Sequence, residues 1–124
     1  MIKQVSMMKR HPDLTMDAFI DRYETHHAKF GEVLFADAER FVRRYVHPER
    51  NPLTGETREP DFDVIMEIWW RSREDMEAAM AAIPSSGLVD DIRASGATLF
   101  ASHDNPAFTL TEHDSPLRGG RVPD

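Results

Sequence analysis

The chain of 124 residues contains no cysteine, which removes disulfides, thiolate nucleophiles and zinc–thiolate sites together. Positive charge is in short supply: 15 Lys and Arg stand against 22 Asp and Glu, a formal net charge of -7. That sign gives phosphate backbones no overall attraction. The short cluster Arg40, Arg43 and Arg44 has no aromatic platform beside it, so nucleic acid is not expected as a partner. No apolar run approaches the roughly 20 residues needed to span a bilayer, so no membrane is expected either. The first residues lack the apolar core of a secretory signal and enter a strand pattern at once, which makes a cytoplasmic setting the expectation. Glycine-rich phosphate loops, Gly-x-Ser-x-Gly and nucleotide fingerprints are missing as well.

What remains is the mixture of an ordinary small globular domain, 40% hydrophobic and 30% charged. Residues 2–9 read as a strand, closed by the turn chemistry of His11, Pro12 and Asp13. Thr15 stands where a helix N-cap belongs, and Phe19, Tyr23, His27 and Phe30 recur at helical spacing. Gly31 weakens any continuation of that helix; residues 32–39 are compatible with helix but lack a clean stop. A second strand is expected over 41–47, ending at Pro48, and a long polar loop over 49–60. Residues 62–70 form the most strand-like segment. Ser72 and Asp75 then resemble a capping box, and Met76, Ala79, Met80 and Ile83 mark the buried face of the next helix. Pro84, Ser85, Ser86 and Gly87 interrupt it before a further helical piece at 88–94, and 108–112 reads as the last strand.

The order β-α-β-β-α-β defines an α+β domain of the split βαβ type: a four-stranded antiparallel sheet with the helices on one face. Such a sheet is expected to have one apolar and one solvated face. Segment 62–70 departs from this. Val64, Met66, Ile68 and Trp70 are apolar on one side, while Ile65 and Trp69 flank Glu67 on the other. The helices cover only one face, so the pattern predicts a homodimer in which two sheets cover each other. Residues 1–113 form the expected domain, with 114–124 as a poorly ordered tail.

Several short motifs bear on family. Met1-Ile2-Lys3, Met8-Lys9-Arg10, then Phe19, Arg22-Tyr23 and His26-His27-Ala28 resemble the EthD domain family. So do Phe62-Asp63 with Glu67-Ile68-Trp69, Ser72 with Asp75, and the closing Thr111-Glu112-His113. The resemblance implies a ferredoxin-like fold of the dimeric α+β barrel superfamily, with a pocket between the first helix and its own sheet. It also implies a cofactor-free decarboxylase, dehydratase or cyclase acting on aromatic or polyketide intermediates. His27 is the position that carries over from the family motif, and Tyr45 matches a tyrosine of the second strand. Tyr23 stands where the family usually has tryptophan and Lys29 where it often has proline. A histidine often found four residues after that strand tyrosine is Glu49 here.

The candidate chemistry centres on His27, which shares the inward stripe of the first helix; an imidazole with pKa near about 6.5 moves protons at neutral pH. Its alternative is a core histidine making one hydrogen bond. Tyr45 and His47, two apart on a strand, share a face with Arg43, a possible anion clamp, and with Phe41; the alternative is a half-solvated strand end. Glu67, central in the most apolar strand, must raise its pKa and act as an acid/base or find a partner such as an arginine or the opposing chain. Phe19, Tyr23 and Trp69 are candidates for binding an aromatic substrate, with core packing as the plainer account. His26, His27, Asp61, Asp63, His103 and His113 show no metal-ligand spacing, so no metal is expected, nor any cofactor. The leading expectation is a lyase of a small organic molecule, with His27, Tyr45, His47 and Glu67 catalytic. The alternatives are a cofactor-free or haem-linked monooxygenase of phenols and a non-catalytic small-molecule-binding accessory protein.

Overall fold

The computed structural model describes residues 1–123. Strands β1 (Ile2–Met8), β2 (Arg40–Tyr45), β3 (Val64–Trp70) and β4 (Ala107–Thr109) form one antiparallel sheet in the order β2-β3-β1-β4. This is the ferredoxin-like α+β arrangement expected from the alternation of elements. No helix among the described residues is long and apolar enough to cross a membrane.

The first helical stretch is continuous over residues 16–34 but changes pitch midway. It runs as α1 (Met16–Arg22), a π turn at Tyr23–His27, then α2 (Ala28–Leu34). Thr15 caps it by accepting from the Ala18 amide at 3.2 Å. Gly31 does not end it. A β-carbon there would lie 2.5 Å from Cε2 and Cζ of Phe41, so the missing side chain lets the helix settle against β2. Helices α3 (Arg73–Ala82) and α4 (Val89–Leu99) follow β3, with Ser72 capping α3 through the Asp75 amide. Helix α4 continues past residue 94, where a terminus was expected, because Ser95, Gly96 and Leu99 are buried on its inner side.

Register sorts every strand side chain onto one of two faces. Gln4, Ser6 and Met8 share the helix-covered face with Phe41, Arg43, Tyr45, Val64, Met66, Ile68 and Trp70. Two apolar clusters fill that side, one around Phe19, Tyr23, Val64 and Leu99 and the other around Ile68, Trp70 and Met76. Trp70 is fully buried and donates its indole N–H to Gln4 Oε1 at 2.9 Å, so its polar edge is satisfied. The opposite face carries Lys3, Val5, Met7, Val42, Arg44, Ile65, Glu67 and Trp69; no helix among the described residues packs over it, although Val5 and Glu67 are buried there. Glu67 and Trp69 therefore point away from His27, which corrects any scheme joining the three in one site. The physical reason is the two-residue period of the strand.

Two strand ends also differ from expectation. β2 stops at Tyr45, leaving His47 exposed beyond it, and β4 spans 107–109 rather than 108–112 because it pairs with Gln4 to Ser6. The 49–60 loop folds on itself through an Arg50–Thr57 bridge. It is held at its far end by Lys9, which donates to Glu59 at 3.3 Å and to the Pro60 carbonyl at 3.4 Å.

Candidate functional site

Between the 16–34 helix, α4 and the covered face of the sheet lies a cavity of about 310 Å³. Its walls are mainly aromatic and aliphatic and include Phe30, Phe35, Phe41 and Phe100. Residues with polar groups line it at Ser6, Tyr23, His27, His103 and Asn105. This combination of an apolar lining with a few polar groups is that of a small-molecule site.

The π turn places the key side chains. A π turn accommodates an extra residue within a helix, and such bulges recur at functional sites. Here Tyr23 and His27 both face inward, their rings 5.3 Å apart and nearly perpendicular. His27 also meets Phe100 edge to face at 5.2 Å. Its Nδ1 is 2.8 Å from Ser95 Oγ on α4, and no protein group among the described residues bonds its Nε2. Burial depresses its pKa from 6.5 to about 4, with smaller contributions from His26 and His103, so the imidazole is neutral at neutral pH. His26 itself is exposed.

Beside the cavity, a second polar group ties the π turn to β2. Glu24 accepts two hydrogen bonds from Arg43, at 2.6 and 3.0 Å, and a third from the Tyr45 hydroxyl at 2.5 Å. These bonds, Arg43 above all, hold the Glu24 carboxyl below the usual range. Burial and donation to Glu24 push the Tyr45 phenol upward, and burial does the same to Tyr23. Neither tyrosine supplies a phenolate base. Arg43, expected to clamp a substrate anion, already has its anion in Glu24; Arg43 and Tyr45 are not among the cavity walls.

The remaining predicted residues lie elsewhere. Phe19 is completely buried in the core against Tyr23, Tyr45 and Phe100 rather than on the cavity. Tyr23 does line it. His47 projects into solvent beyond β2. On the open face Glu67 accepts from Arg44 at 2.7 Å and from the Trp69 indole at 3.0 Å, so its pKa falls instead of rising. Trp69 lies between Lys3, 3.9 Å from its ring centroid, and Arg40 at 4.6 Å. Among the described residues, no group of three or more His, Asp or Glu side chains could hold a metal ion.

Sequence reasoning missed Glu24, Ser95 and Asn105, and weighed His103 only as a metal ligand. Glu24, beside Tyr23, and Ser95 carry no motif. One signal was available for His103: a glycine inside a helix, such as Gly96, costs about 1 kcal/mol relative to alanine and implies a close neighbour. That neighbour is His103, whose Cε1 would lie 3.1 Å from a β-carbon at position 96.

Comparison with known proteins agrees with the architecture. A protein from Arabidopsis thaliana superposes with a TM-score of 0.59 at 12% identity, covering 94% of this chain and 100% of its own. A protein from Agrobacterium tumefaciens gives 0.57 at 15% identity, covering 95% and 100%. A dimeric ferredoxin-like protein of unknown function from Thermobifida fusca gives 0.50 at 11%, covering 90% of each chain. At such identities the likeness establishes the fold alone. No curated protein shows significant sequence similarity to the chain. Residues 11–85 match the EthD domain, a span that takes in the capped first helix, the π turn, β2, β3 and α3. With most of its length matched in this way, the chain belongs to the EthD domain family.

Proposed function

We propose that this protein is a cofactor-independent lyase of the decarboxylase, dehydratase or cyclase type, acting on an aromatic small molecule through His27. The observation that carries this reading is a neutral imidazole on an aromatic cavity wall, tied at one nitrogen to Ser95 and open at the other. With Nδ1–H donating to Ser95 Oγ, Nε2 presents its lone pair to the ligand as a base. A pKa of about 4 keeps that base fully available but makes it weak. The weakness is offset where negative charge develops on the substrate beside the new imidazolium, because partial burial of the ring strengthens that attraction. Asn105 and His103, on the segment between α4 and β4, supply hydrogen-bonding groups for a substrate oxygen.

The working unit in this proposal is residues 1–113, paired with a second copy through the sheet face on which Met7, Ile65 and Trp69 stay half-exposed. The test of the chemistry is turnover of hydroxylated, keto-substituted and carboxylated aromatic compounds in the presence of a chelator. Loss of water or carbon dioxide, or isomerisation on ring closure, is followed by mass spectrometry and chromatography. His27→Ala should lower the rate by about 10²–10⁴-fold, the usual share of a positioned acid/base. Unchanged turnover in that variant overturns the mechanism.

A further inference from the structure

The cavity wall contains no Lys, Arg, Asp or Glu among the described residues. Nearby arginines are occupied elsewhere. Arg43 shares Glu24 with Tyr45, and Arg22 donates to the Thr98 carbonyl at 3.4 Å. The imidazole of His27 adds no positive charge at neutral pH. A carboxylate or phosphate entering this space would give up water without meeting a lysine or arginine, and burial of an anion without such a partner is unfavourable. An uncharged ring with one oxygen function suffers no such loss. Its hydroxyl or carbonyl finds Asn105, His103 and the open nitrogen of His27, while Phe30, Phe41 and Phe100 surround the ring. The volume, about 310 Å³, lies at the lower end for small-ligand sites, which fits a compound of one or two rings.

We infer that this cavity selects an uncharged aromatic compound of one or two rings bearing a hydroxyl or carbonyl group, and turns away aromatic carboxylates. The inference rests on the proposed function for the location of the site, but not on proton transfer by His27. It favours dehydration or ring closure over decarboxylation, since only the last requires a carboxylate substrate.

The test is calorimetric titration at neutral pH with naphthol and with naphthoate, the substituent on the same ring carbon in both. Naphthol should bind at least about tenfold more tightly, because only naphthoate buries a charge. Ile92→Trp, which fills the cavity from α4, should weaken naphthol binding. Asn105→Lys, which adds a cation to the wall, should raise naphthoate affinity by about tenfold and narrow the preference. Naphthoate binding to the unaltered protein as tightly as naphthol, or no saturable binding of naphthol, overturns the inference. So does naphthol binding that Ile92→Trp leaves untouched. Normal turnover in His27→Ala beside a retained naphthol preference would defeat the lyase mechanism and leave the charge selection standing.

Discussion

Replacing Gly31 by alanine sets two effects of opposite sign against each other. In a helix interior alanine is favoured over glycine by about 1 kcal/mol, because glycine gives up more backbone freedom. The new methyl, however, would sit 2.5 Å from two ring carbons of Phe41 and 3.2 Å from Cδ2 of Phe35. Contacts that short force a ring to move, and overpacking of this kind costs about 1–3 kcal/mol. Phe41 has one route back onto Phe35, already 5.4 Å away between ring centroids, and one into the cavity it lines. The steric loss should win, leaving Gly31→Ala less stable by about 1 kcal/mol and lowering Tm by about 3–6 °C for a chain of this size. Urea unfolding followed by tryptophan fluorescence should show a lower midpoint with an unchanged slope. If the ring is driven into the cavity, naphthol affinity falls in the same variant. A gain of about 1 kcal/mol, the value for an unobstructed helical glycine, would refute the view that this close approach seats the helix on the sheet.

Four further outcomes are expected. Glu24→Gln removes the charge that Arg43 and Tyr45 share; with Glu24 partly exposed the loss should be about 1 kcal/mol in urea unfolding, and no loss would show the bridge to be ornamental. Acid should destabilise the fold in two stages. His27 has a folded pKa depressed from 6.5 to about 4, so its contribution is complete above 6.5 and disappears as pH falls toward 4. Glu24 and Glu67, both lowered from 4.5, contribute above that value and lose their share as pH falls through their folded pKa values. His27→Gln should abolish the upper stage, and a flat urea midpoint between pH 6.5 and 4 in the unaltered protein would contradict the depressed histidine. Nitrogen NMR should find the His27 proton on Nδ1, with Ser95→Ala giving a tautomer mixture; a proton on Nε2 would reverse its assignment as a base. Sedimentation at micromolar concentration should give twice the chain mass, and Ile65→Glu on the open face should halve it; a stable single chain would show that this face needs no second sheet.

Much of the architecture was legible because it rests on periodicity. The alternation in 62–70, the stripe Phe19–Tyr23–His27 and the caps Thr15 and Ser72 are local signals, and each appears in the structure as the corresponding element. The site was less legible because its parts come from separated segments. Tyr45 and Arg43 do share a face with His27, yet their polar groups are taken by Glu24, a partner 19 and 21 residues away with no pattern to mark it. Glu67 pairs with Arg44 across the strand register, 23 residues apart, which composition alone does not reveal. Glycine misled at position 31, where the gap is filled by an aromatic ring from the next strand, and at 96 it marked a close neighbour, His103, without saying which. Both are tertiary contacts overriding a local propensity.

The widened turn at Tyr23–His27 carries a consequence for how this protein can vary. Deleting one exposed position there, such as Thr25, would restore ordinary α-helical winding while leaving the later turns near their present orientation, because the widened turn is what absorbs the extra residue. Phe30, Gly31 and Leu34 would still face the cavity, and the ring of Phe41 would keep its notch. Length can therefore change by one residue at the widened turn without unseating the second half of the helix, just as the folded loop at 49–60, which contributes no cavity wall, is free to lengthen or shorten.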